Sequence, residues 1–215
     1  MIRFAAVLVG AASLITAAHA APPNAVMLSL NCSGCHGTLG ASAGDSVPSL
    51  AGQPKESFVT AMKKFRSGER PSTVMGRLAA GYTDAEIESM AGFFARFKPA
   101  RQTAPIDARL AERGRNVFYQ RCKYCHLDPG PLWRQIHRNR DYDNQCRHCH
   151  ADYGNPGGEP TPLVAGQWLQ YLSLQLDAFA EGKRPMSKAK AEKLRGLSRE
   201  DREAVANFYA SQVAE

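Results

Sequence analysis

The chain has 215 residues, 44% of them hydrophobic and 22% charged, with a net charge of +7 at neutral pH. That length excludes a many-domain assembly and fits one large or two small domains. After residue 20 no apolar stretch is long enough to cross a bilayer, which excludes a multispan membrane protein.

Taken in order, residues 1–20 have the form of a secretory signal peptide. Arg3 is the positive start, Phe4 to Ala17 the apolar run, and Ala18-His19-Ala20 a small-x-small cleavage site. The mature chain is expected to be soluble and periplasmic, and His19 leaves with the peptide. Phe58, Met62 and Phe65 then fall at i, i+4, i+7, with Gly68 placed to end a helix. Thr83 to Glu86 has the form of a capping box and opens a helix through Met90, Phe93 and Phe94. Met27, Met62 and Met90 occupy helical apolar positions and are expected in the core. Residues 98–105 (K-P-A-R-Q-T-A-P) read as a linker. Leu172, Leu176 and Phe179 repeat the first helical pattern, stopped by Gly182, and Ser198 to Asp201 opens a last helix through Val205, Phe208 and Tyr209. No segment shows sustained strand alternation.

These elements are two copies of one plan. A shift of 114 residues carries Cys32, Cys35 and His36 onto Cys146, Cys149 and His150. It also carries Pro48 onto Pro162, Ala51-Gly52-Gln53 onto Ala165-Gly166-Gln167, and Phe65, Gly68, Arg70 and Pro71 onto Phe179, Gly182, Arg184 and Pro185. A shift of 115 matches Phe93 with Phe208, so a loop between Pro71 and Ala91 takes up one residue.

The chemistry lies in C-x-x-C-H, which occurs three times and uses all six cysteines. Two thiols one helical turn apart can each form a thioether with a haem vinyl group, and the next histidine supplies an axial nitrogen to iron. The motifs predict haem c at Cys32 and Cys35 with His36, at Cys122 and Cys125 with His126, and at Cys146 and Cys149 with His150. The second axial ligand of such a haem usually comes from a downstream loop. Met75, in S-T-V-M-G-R, and Met186, in K-R-P-M-S-K, fit that place. Methionine–histidine ligation raises the reduction potential and closes iron to small ligands, which favours electron transfer over catalysis. Pro48 and Pro162 are placed to offer backbone carbonyls to the proximal histidines. The basic balance is read as a solvated surface that helps docking to acidic redox partners, not as a nucleic-acid site.

Two such halves, with A-G-Q, the R-P turn and the methionine loops, resemble the dihaem class I cytochromes c. The segments S-T-V-M-G-R-L-A-A-G-Y, M-A-G-F-F, L-V-A-G-Q-W, K-R-P-M and F-Y-A-S-Q are most similar to the cytochrome subunit of flavocytochrome c sulfide dehydrogenases. The resemblance implies an all-α chain of two tandem class I cytochrome c domains. It divides the chain into a signal peptide (1–20), a first domain (21–100), a linker (101–107) and a second domain (108–215). It further implies an electron-transfer subunit that is no enzyme by itself, accepting electrons from a sulfide-oxidising flavoprotein and passing them to a redox acceptor protein. The runner-up is a free-standing dihaem or trihaem carrier to a terminal oxidase or reductase.

The third motif departs from that family, which carries one motif per domain. Residues before Cys122 resemble the helix leading into a second haem, and residues after Cys146 keep the spacing of the first domain. About 24 residues (segment 122–149) look inserted between two halves of one normal motif. Spacing favours His150 over His126 as the partner of Met186. The extra motif is open to several readings: a haem ligated by His137, an open haem that makes the chain an enzyme, a zinc site of Cys122, Cys125, Cys146 and Cys149, or a disulfide. Two haems are expected from the architecture and up to three from the motifs.

Overall fold

Helical spacing of apolar residues builds two cores. The computed structural model describes residues 24–122 and 162–212, and among these every regular element is a helix. In the first half, α1 (Ala25–Leu30) starts at Asn24, whose side chain accepts from the Met27 N–H. The short α2 (Ser33–His36) carries the first motif. The expected helix at Phe58 is α3 (Lys55–Ser67), closed by Gly68 in the left-handed conformation that glycine adopts without a Cβ penalty. α4 (Met75–Ala79) and α5 (Asp84–Phe94) follow. The expected capping box opens α5: Glu86 N–H donates to Thr83 Oγ1, and Thr83 N–H donates to the Glu86 carboxylate. Phe58, Met62, Ile87, Met90 and Phe94 form the centre of this core.

Met27 is not in that core. It is 61% exposed, because α1 has only six residues and turns Leu28 and Ser29 inward. Met27, one position and about 100° earlier on the helix, faces out.

In the second half, α6 (Ala108–Val117) is capped by Asp107 and widens into a π-type turn at Phe118–Cys122. α7 (Leu169–Ala180), α8 (Lys188–Leu194) and α9 (Arg199–Ser211) complete it. Phe118 packs at 5.0 Å from the Phe208 ring and 5.6 Å from Tyr209, with Leu172 and Val205 alongside. α6 lies along α9 as α1 lies along α5. Leu28, four residues before Cys32, and Phe118, four before Cys122, are both buried in their respective cores.

The repeat is structural as well as sequential. Gly52 N–H donates to Phe94 O at 3.0 Å, and Gly166 N–H to Tyr209 O at 2.9 Å. Gly68 and Gly182 have φ of 77° and 69°. The Arg70 guanidinium lies 4.4 Å from the Phe65 ring centroid, and that of Arg184 lies 4.3 Å from Phe179. A capping box at Ser198 and Asp201 opens α9 as Thr83 and Glu86 open α5.

The halves meet through backbone as much as through side chains. α7 has no side-chain cap, and its first-turn Tyr171 N–H donates to Asp45 O of the first half at 2.9 Å. An orphan donor of the helix is thereby satisfied across the interface. Trp168 Nε1 donates to Ser42 O at 3.1 Å, and Arg70 donates to the Tyr171 hydroxyl at 3.1 Å. The connecting residues are also held down. Gln102 is buried, its N–H donating to Gly166 O at 2.8 Å and its side chain reaching Ala104 and Ala210.

Candidate functional site

The first motif forms one helical turn. Cys35 and His36 N–H both donate to Cys32 O, at 3.3 and 2.9 Å. Cys32 is half-buried against the first core and Cys35 is exposed. Burial, and secondarily the neighbouring Cys35, push the Cys32 thiol pKa up. The geometry presents two sulfurs a turn apart, as two thioethers to one haem require.

His36 is 8% exposed. Its Nδ1 lies 2.7 Å from Pro48 O, the contact expected from the sequence. A ring that donates Nδ1–H to a carbonyl keeps Nε2 as its lone-pair nitrogen, the form that ligates a metal. Burial lowers the His36 pKa, against the Pro48 hydrogen bond that raises it, so the neutral imidazole is favoured.

Two glycines bring Pro48 to the histidine. At Gly37, φ is 74°, and a β-carbon would lie 1.9 Å from Ala41 O. At Gly40, φ is 83°, and its carbonyl accepts from Leu50 and Ala51 at 2.7 and 3.1 Å, folding the 41–48 loop back onto α2.

Large apolar side chains are exposed on the elements that flank this motif in the chain and next to Met75. Val26, Met27 and Leu30 on α1, Leu39 just after His36, and Val74 and Leu78 beside Met75 are all large, apolar and exposed. A haem ring needs apolar walls of this kind, and with the two thiols and the neutral imidazole the residues present fit it. Met75 opens α4 instead of lying in an open loop, with Ser72 Oγ accepting from Gly76 N–H at 2.8 Å. Its side chain packs on the first core, as Cys32 does.

In the second half Met186 is half-buried in the loop between Arg184-Pro185 and α8. The backbone reaches Cys122 at the end of the π-type turn. Cys125, His126, His137, Cys146, Cys149 and His150 lie outside the described residues, and with them the readings offered for the extra motif.

Sequence reasoning missed the residues that join the halves. Gln167 Oε1 accepts from Ser49 N–H at 2.8 Å, and its Nε2 donates to Ser49 O at 3.1 Å. Gln53 does the same to Leu163, at 3.1 and 2.8 Å. Ser49 and Leu163 are themselves equivalent in the repeat, so the A-G-Q glutamines form a reciprocal clasp. The repeated A-G-Q was the available signal.

No protein-family model matches the chain. Over 68 residues it is 50% identical to the cytochrome subunit of sulfide dehydrogenase from Chlorobaculum tepidum, a match covering 32% of this chain and 61% of that subunit. It is 26% identical over 197 residues to the thiosulfate dehydrogenase electron acceptor of Thiomonas intermedia, covering 90% of this chain and 82% of that protein. The solved cytochrome c4 of Acidithiobacillus ferrooxidans superposes with a TM-score of 0.62 at 26% identity, covering 85% of this chain and 99% of that one. In sequence and in helical fold the chain is similar to dihaem class I cytochromes c.

Proposed function

We propose that this chain is a periplasmic electron carrier that takes electrons from a sulfide-oxidising flavoprotein and passes them to a soluble acceptor protein. The observation that carries this reading is the 50% identity to a sulfide dehydrogenase cytochrome subunit. The net charge of +7 supports docking to an acidic partner. Bound haem c supplies the one-electron couple.

The chain's own residues hold and tune that couple. Cys32 and Cys35 would anchor the first haem, with His36, through Nε2, and Met75 as the residues that would hold its iron. In the second domain Met186 pairs with His150, with His126 the alternative. Cys122, Cys125, Cys146 and Cys149 offer two attachment sites, for up to three haems per chain. Residues 1–20 act as a cleaved export signal, and the domains run over 21–100 and 108–215. Among the described residues no helix is long and apolar enough to cross a membrane.

The test is reconstitution. The holoprotein mixed with a sulfide-oxidising flavoprotein should show haem reduction on sulfide addition that depends on the flavoprotein. Equally fast reduction by sulfide alone would overturn the partner assignment. A second reading, acceptance of electrons from a thiosulfate dehydrogenase, is favoured by the similarity that runs over 90% of the chain. Thiosulfate with its dehydrogenase, run in parallel, separates the two.

A further inference from the structure

His36 and Gln167 bond to opposite ends of one peptide group. The carbonyl that faces His36 Nδ1 at 2.7 Å belongs to Pro48, and the N–H of that same peptide belongs to Ser49. Ser49 N–H donates to Gln167 Oε1 at 2.8 Å. The three groups form a chain: Gln167 amide oxygen, Pro48–Ser49 peptide, His36 imidazole. His36, Ser49 and Gln167 are 8%, 4% and 5% exposed, so the chain runs through protein and not through solvent.

Such chains are cooperative. When a peptide N–H donates, its own carbonyl becomes more negative, and the bond that carbonyl accepts is strengthened by about 10–30% in condensed phase. A more negative Pro48 oxygen pulls harder on the His36 Nδ1 proton and makes the opposite nitrogen a stronger donor to a metal. A stronger donor stabilises the oxidised metal. Gln167 belongs to the second domain, so this tuning reaches the first domain from across the interface.

We propose that Gln167 is a positioning residue for the first haem: docking of the second domain sets that haem's reduction potential through the Pro48–Ser49 peptide. The inference rests on the reading of His36 as the haem ligand. Gln53 holds the Pro162–Leu163 peptide in the mirror arrangement.

That mirror supplies the control. Gln167→Met and Gln53→Met each remove one amide clasp from the same interface, Gln167 being the more buried and also accepting from Trp168 N–H at 3.3 Å. In the holoprotein, Gln167→Met should raise the first haem's midpoint potential, giving at least about a twofold higher reduced-to-oxidised ratio at the wild-type midpoint. It should also speed solvent exchange of the His36 Nδ1 proton in the ferrous protein. Gln53→Met should leave both unchanged. If Gln167→Met does not fold, Gln167→Glu, whose carboxylate is a stronger acceptor, should lower the first haem's potential, with Gln53→Glu moving it less. Equal shifts in the mirror variants, or none, overturn the proposal. Haem content of the peptide carrying Cys32 and Cys35 is measured on the same samples. Haem present with an unmoved potential sinks the inference alone, whereas haem absent sinks the ligand reading beneath it.

Discussion

Gly114 lies so close to Ala204 that a β-carbon on it would sit 1.9 Å from the Ala204 carbonyl oxygen and 2.9 Å from Phe208 Cβ. This contact sets the crossing of α6 over α9, and with it the approach of the chain to Cys122. Gly114→Ala should cost about 3 kcal/mol, since backbone on both sides must move. Gly92, on the outer side of α5, has nothing within 4 Å of the same position. Gly92→Ala should therefore stabilise by about 0.5–1 kcal/mol, by removing a helix-interior glycine. Urea unfolding of the two variants checks both signs.

Acid should loosen the same crossing. Arg113 on α6 donates to Asp201 at 2.8 Å and to Glu200 at 2.6 Å, both at the start of α9. The Arg113 hydrogen bond, more than those from Ser198, holds the Asp201 carboxyl below the usual aspartate range. A carboxylate with a lowered folded pKa binds fewer protons folded than unfolded, so stability rises with pH through the window between the two values. This contribution is complete above the ordinary aspartate range and is lost as pH falls toward the lowered value. Arg113→Leu should flatten the acid limb of a stability–pH profile and leave its slope at neutral pH unchanged.

The distal position of the first haem should respond to Met75. Replacing a methionine ligand with alanine lowers the potential and opens the iron. Met75→Ala holoprotein should show a lower midpoint for one haem and bind carbon monoxide when reduced. Met62→Leu, a volume-conserving swap in the core, should do neither.

Trp168 should couple the unfolding of the two halves. Its indole N–H donates to Ser42 O in a buried setting. Trp168→Phe leaves that carbonyl without its partner and should cost about 1–2 kcal/mol. Calorimetry should show the wild type unfolding in one transition and the variant separating toward two.

Local rules made much of this structure legible in the sequence. Phe58, Met62 and Phe65 with Gly68, and the boxes at Thr83 and Ser198, are decided within one or two turns of chain, and they appear where expected. Met27 misled because apolar character alone does not orient a six-residue helix. Met75 reads as a loop residue in the sequence but opens α4, since Ser72, four residues from Gly76, supplies the hydrogen bond that begins it. The clasp was hidden for a different reason. Gln53 and Leu163 are 110 residues apart, and Ser49 and Gln167 are 118 apart. The repeat marked these glutamines as special, but only the packing of two halves shows that each serves the other.

The central claim is that Cys32 to His36 is a working haem c site in an electron carrier. Mass spectrometry of the peptide carrying those residues, from protein matured in a host that attaches haem c, tests it most directly. The account predicts both thiols in thioether linkage to a single haem. Free thiols, or a Cys32–Cys35 disulfide, would contradict it.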